Sequence, residues 1–237
     1  MSPSGRRKAS GTSKKKASTK QPPKKAAIAK QSAARKAPGK QAKERPAKKI
    51  PAKKGPAKKP PHSAPYETGK WAAAFAPRAP GERRYWLVKS EPEVFSFDDL
   101  VHAKDRTTYW DGVRNFAARN FLRDGMKLGD QVFFYHSMAN PQAIVGVCEV
   151  VREGYPDFTA LDRAHTGYDA DSDPDAPTWY MVDVRAVAPL ARPVTLPEIK
   201  ARPELAEMAL LRIGRLSVVP VTATEWEVIQ AMGNAGG

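Results

Sequence analysis

Arg84-Tyr-Trp-Leu-Val-Lys-Ser-Glu-Pro92 is the stretch that decides how the folded part of this chain is read. Tyr85 to Lys89 has the character of a buried strand, and it stops at a polar corner, Lys89-Ser90-Glu91-Pro92. Proline has no amide donor and pushes the residue before it toward an extended conformation, which helps to end the strand there. An apolar strand that delivers Lys, Ser and Glu together at its end is placing chemistry at that corner.

Upstream of it the chain is a different kind of polymer. Residues 1–81 carry 23 Lys or Arg against 2 acidic residues, a net of +21, whereas residues 82–237 carry 17 against 23, a net of −6; together they give the overall +15. The first segment is built from Lys, Ala, Pro, Ser and Gln, with Ile28, Tyr66, Trp71 and Phe75 almost its only large apolar groups. It cannot bury enough apolar surface to offset the entropy of ordering, so disorder is expected. Pro-Ala-Lys-Lys recurs at Pro46, Pro51 and Pro56. That period excludes a heptad, and the prolines exclude a continuous helix. Lysine pairs spread along an extended chain suit the repeating charge of a polyanion, which is bound by counterion release. Residues 70–81 read as a linker whose Trp71 and Phe75 dock on the globule. A solubility tail or localisation signal remains the alternative for the arm. In composition, residues 1–61 resemble the Lys/Ala/Pro-rich tails of linker histones.

The chain has no continuous apolar h-region and no run long enough to cross a bilayer, so no membrane association is expected. Cys148 stands alone, which excludes an intramolecular disulfide and fits a reducing compartment. Three domains of unequal weight result: a tail and linker over 1–81, a globule over 82–233, and a short terminus over 234–237.

Within the globule, Ser96-Phe-Asp-Asp99 predicts a capped helix over Phe97 to Ala103. Tyr109 to Gly112 reads as a loop, and Asp111 as the N-cap of a helix running to Asp124 with Gly125 as its C′ residue. Asp130 to Ser137 and Ala143 to Val151 predict an antiparallel hairpin around Asn140-Pro141, with Gly146 marking a bulge or a close backbone approach. An acidic loop over 156–177 precedes a strand over Thr178 to Val187. Thr195-Leu-Pro-Glu198 opens one helix and Pro203 another over Leu205 to Leu211. Arg215 to Val219 reads as a strand, and Thr222-Ala-Thr-Glu225 caps a last helix to Met232. The expected class is α+β, a largely antiparallel small sheet or barrel with helices, of a length that supports one core.

No nucleotide-binding, hydrolase or metalloprotease signature is present. His136 has no partner with metal-ligand spacing, and Cys148 sits among valines as a buried apolar residue. Asp169-Ala-Asp-Ser-Asp-Pro-Asp175 imitates a calcium loop but has Pro174 at its sixth position and Tyr180 at its twelfth, so no metal or cofactor is expected. What remains is Lys89, Ser90 and Glu91, Trp110, Asn115, Tyr135, His136 and Ser137, and Ser217. These read either as core aromatics and turn formers or as a pocket that sandwiches a flat ring and bonds its edge, as a flipped or single-stranded base requires. Arg114, Arg119, Arg212 and Arg215 would hold flanking phosphates.

At these residues the chain resembles the EVE domain family. The resemblance runs through Tyr85–Pro92, Phe95–Leu100, Trp110–Leu122, Gly129–Ser137, Tyr180–Val184, Pro193–Leu196, Pro203–Leu205 and Arg215–Val218. It implies a PUA-like fold, a small β-barrel flanked by helices and related to the YTH domain. It also implies a non-catalytic reader of modified bases, with modified cytosine in DNA ahead of RNA. By analogy with the YTH Lys-Ser and cage tryptophan, Lys89, Ser90 and Trp110 map to the pocket; Tyr135, His136, Ser137 and Ser217 extend it. The family's Gln before the proline of Arg-Leu-Ser-Val-x-Pro is Val219 here. Modified RNA, an enzyme using Glu91 or His136 as acid–base, and an architectural polycation with a passive globule are the competing functions. A monomer is favoured, in a nucleus or on a bacterial nucleoid according to host.

Overall fold

Strand β1 (Tyr85–Ser90) forms where the sequence places it, is paired along both edges, and is covered on both faces, so that Trp86, Leu87 and Val88 are all fully buried. The computed structural model describes Gly69 and residues 71–235. The expectation of disorder before them lies outside the described residues. The six strands are ordered β2-β5-β4-β3-β1-β6, with β2 (Thr107–Tyr109), β3 (Gln131–His136), β4 (Ala143–Pro156), β5 (Tyr180–Thr195) and β6 (Val218–Val221). The architecture is the expected α+β class. One pairing departs from the antiparallel expectation: β1 and β3 run parallel, from Tyr85 opposite Gln131 to Ser90 opposite His136. A parallel pair needs a crossover, and here α2 (Phe97–His102), β2 and α3 (Phe116–Asn120) supply it.

Long strands β4 and β5 form the spine, and repeated register shifts between them bend the sheet. At one bend lies Gly146, the close approach expected from its sequence. A Cβ there would land on the ring of Phe97. Gly146→Ala should therefore lower stability by about 2 kcal/mol through forced repacking, read as a lower urea midpoint with an unchanged m-value.

Capping boxes at Ser96, Thr195 and Thr222 form as expected and start α2, α4 (Leu196–Lys200) and α6 (Ala223–Asn234). The helix expected from Asp111 does not start there. Trp110 N donates to Val182 O (2.7 Å) and Gly112, at φ 71°, donates to the Asp157 carboxylate (3.1 Å), so residues 110–112 are held as a loop. Asn115 caps instead, its Oδ1 accepting from Ala117 N (2.9 Å) and Ala118 N (3.2 Å). After α3 the chain widens into a π turn over Phe121–Gly125.

Further departures have local causes. β5 runs to Thr195 through Pro189 and Pro193, residues that break a strand pattern on paper but are tolerated at its bulges. The helix expected over Leu205 to Leu211 is a 3₁₀ turn (Pro203–Leu205) and a short α5 (Ala209–Arg212). β6 begins at Val218, leaving Arg215 and Ser217 in the preceding loop.

The linker's two aromatics dock on the globule, as expected. Trp71 meets the ring of Phe121 edge-on at 5.6 Å, and Phe75 of α1 (Ala72–Phe75) stacks on it at 5.5 Å. Arg78 then grips Asp130 through both carboxylate oxygens (2.5 and 2.7 Å) and reaches Gly125 O (2.6 Å).

Candidate nucleic-acid interface

Ser90 and His136 end two neighbouring parallel strands in register, which places their side chains on one face of the sheet. Phe134 shares that face: its ring meets His136 at 5.6 Å and Trp110 at 5.4 Å, both edge-on, and packs near Phe95 and Phe97. Ser90 Oγ donates to Phe95 O (2.5 Å) and closes the turn that Val94 N and Phe95 N make onto Glu91 O (2.9 Å each). Ser137 donates from both its backbone N (2.8 Å) and Oγ (3.1 Å) to Ser90 O. Phe97 N donates to His136 Nε2 (3.1 Å), so the neutral ring carries its proton on Nδ1. Burial pushes the His136 pKa down and favours that neutral form. The corner thus holds a ring donor, two hydroxyls and an aromatic wall within one hydrogen-bonded frame.

Strand alternation sends Lys89 and Tyr135 to the opposite face. Tyr135 is buried, donates to Gln142 Oε1 (3.2 Å), and has its phenol pushed up to about 12 by desolvation. Lys89 spans toward the loop before β6, its Nζ donating to Gly214 O (3.0 Å) and its backbone N to Ser217 O (2.9 Å). Burial lowers its pKa. Ser217 therefore touches the frame through its main chain. Glu91 is exposed, with its carbonyl in the turn. Asn115 is spent as a helix cap.

Trp110 is 8% exposed, so it is a core residue as well as the wall of the corner. The arginines divide. Arg114 pairs with Asp157 (2.7 Å), whose side chain is fully buried, and donates to Gly167 O (2.6 Å); Arg119 donates to Thr178 O (2.6 Å). Burial alone would raise the Asp157 carboxyl, but Thr159 and Arg114 hold it below the ordinary range. Arg114 thus ties the loop after Trp110, and Arg119 ties α3, to the segment 156–179. Arg212 and Arg215 are exposed, Arg212 beside Glu207 at 3.3 Å.

Asp111, expected only as a helix N-cap, instead stands beside the corner's Trp110. Its Oδ2 is sheltered and lies 3.2 Å from His165 Nε2 without the alignment of a hydrogen bond, and burial beside Asp157 raises its pKa. Its place next to Trp110 was the available signal. Two concavities lie away from the corner, one lined by Pro156, Phe158, Leu161 and Trp179, the other by Arg192, Glu198 and Arg202.

Beside this geometry, similarity to known proteins decides the family. The EVE domain matches residues 84–232. This chain belongs to the EVE domain family. Mouse thymocyte nuclear protein 1 is 42% identical over 165 residues, which are 62% of this chain and 73% of the mouse protein. A solved structure of a hypothetical protein from Leishmania major is 48% identical, with TM-score 0.61, covering 64% of this chain and 95% of that one. A crystal structure of human THYN1 protein in complex with 5-methylcytosine containing DNA is 39% identical, with TM-score 0.63, covering 65% of this chain and 99% of that one. The matched EVE segment holds every predicted site residue.

Proposed function

We propose that this EVE domain binds nucleic acid by reading a modified base, with 5-methylcytosine in DNA as the leading ligand. The observation that carries the reading is the 39% identical human protein, which was crystallised with DNA containing that base. The corner at Ser90, His136, Ser137 and Trp110 supplies what a base edge needs: a ring N–H that donates, hydroxyl oxygens that accept while their protons bond Phe95 O and Ser90 O, and an aromatic wall against a planar ring. Arg212 and Arg215, exposed before β6, are suited to flanking phosphates, whereas Lys89, on the opposite face, braces that loop through Gly214 O. In this reading Arg114, Arg119, Asn115 and Tyr135 support the corner rather than touch the ligand. The domain reads without turning its ligand over.

The basic segment adds sequence-independent affinity. Residues 1–68 hold 21 Lys or Arg against 2 acidic residues, while the domain itself is net negative. Tethering keeps the corner near the strand and adds avidity without new contacts. Full chain and residues 69–237 should therefore differ in salt slope: for each phosphate that the tail neutralises, its removal makes log K against log salt shallower by about 0.9. The ratio of affinities for modified over unmodified DNA should be the same in both. Equal slopes would remove the tail from the account, and a ratio that vanished with the tail would remove the corner.

A further inference from the structure

The most exposed large apolar side chains of the described residues are Met138 at 76% and Val94 at 67%. Both stand at the corner where β1 and β3 end. Val94 caps the turn closed by Ser90, and Met138 follows Ser137, which is bonded to Ser90 O. Met138 is also held at φ 56°, a left-handed conformation that costs a non-glycine residue and that glycine would adopt freely. Its side chain gains no packing in return. A strained backbone that holds an unbranched apolar side chain in solvent has a use at a binding surface, because strain of this kind persists where the surroundings or a partner require it.

We propose that Met138, with Val94 in the turn that follows β1, is an apolar wedge that enters the base stack of a duplex when the neighbouring base leaves it for the corner. This rests on the base-reading function proposed above. An extruded base leaves a gap between two apolar faces, and a methionine side chain can fill that gap and keep it open. Met is suited to the position because its flexible thioether adapts to an irregular opening. A single strand has no such gap, so the wedge contributes to duplex binding alone.

The test uses the full chain and an oligonucleotide with one 5-methylcytosine next to 2-aminopurine, as a duplex and as the single strand. Met138→Gly is the informative variant, because it removes the side chain and relieves the backbone. Wild type should raise 2-aminopurine fluorescence in the duplex. Met138→Gly should lose that rise and about tenfold in duplex affinity, from the apolar surface no longer buried. Its single-strand affinity should be unchanged, and Met138→Leu should restore both duplex signals. A wild type that produces no rise, or a Met138→Gly variant that keeps the rise and the duplex affinity, would overturn the wedge. The base reading fails separately, if wild type binds unmodified and methylated duplexes equally; loss of the rise in Met138→Gly would then still support the wedge.

Discussion

Asp130→Asn should destabilise the domain by about 3–5 kcal/mol, because it unpairs a buried charge and misplaces a buried donor. The Asp130 side chain is fully buried and accepts five hydrogen bonds, from Nη1 and Nη2 of Arg78, Arg84 N (3.0 Å), Trp86 Nε1 (2.7 Å) and Lys127 N (3.0 Å). Asparagine keeps one oxygen but turns an NH2 toward N–H donors and leaves Arg78 without its counter-charge. Thermal unfolding should shift down by about 10 °C or more. A shift of only a degree or two would mean that Asp130 is not the hub of this end of the domain.

The second large effect concerns where the domain begins. Residues 69–237 and residues 82–237 differ by a short segment that composition assigns to the tail. The shorter chain should be less stable by about 4 kcal/mol, and its loss should resemble that of Arg78→Ala combined with Phe75→Ala. It discards Trp71 and Phe75, which cover Phe121, as well as the Arg78 pair with a buried carboxylate. Burial of the two aromatic groups contributes about 25 cal/mol per Å2 of covered apolar surface. The orphaned Asp130 adds the larger part, since a buried charge without its partner is costly. Urea melts of the two chains that coincide would show that the segment merely rests on the surface. The expected loss would set the boundary for a domain-only experiment at residue 69 rather than 82.

These two effects show which parts of the chain could be read in advance. Ser96, Thr195 and Thr222 were legible because a capping box is a local device, complete within four residues. The docking of Trp71 and Phe75 was legible because two aromatics in a polar segment need cover. Their partner, the π turn at Phe121, was not, since nothing local announces it. Asp111 has the right chemistry for an N-cap, but Asp157 and Val182, distant in sequence, take up the amides around it. The same nonlocality hid the parallel pairing of β1 with β3. In the candidate site, Ser90 and His136, grouped by motif, end adjacent strands in register. Tyr135 and His136 are neighbours in sequence, and period-two alternation already puts them on opposite faces. Arg114 and Arg119 looked like free cations because their carbonyl and carboxylate partners lie in a loop with no recognisable pattern.

The corner of β1 and β3 is proposed to read a modified base. The most direct test is fluorescence-anisotropy binding of residues 69–237 to matched DNA with cytosine or 5-methylcytosine, at one fixed salt concentration. Binding to the methylated oligonucleotide should be tighter, with the preference lost in Trp110→Phe at a temperature where circular dichroism shows that variant folded. Equal affinity for the two oligonucleotides, or a preference that survives in Trp110→Phe and in His136→Ala alike, would contradict it.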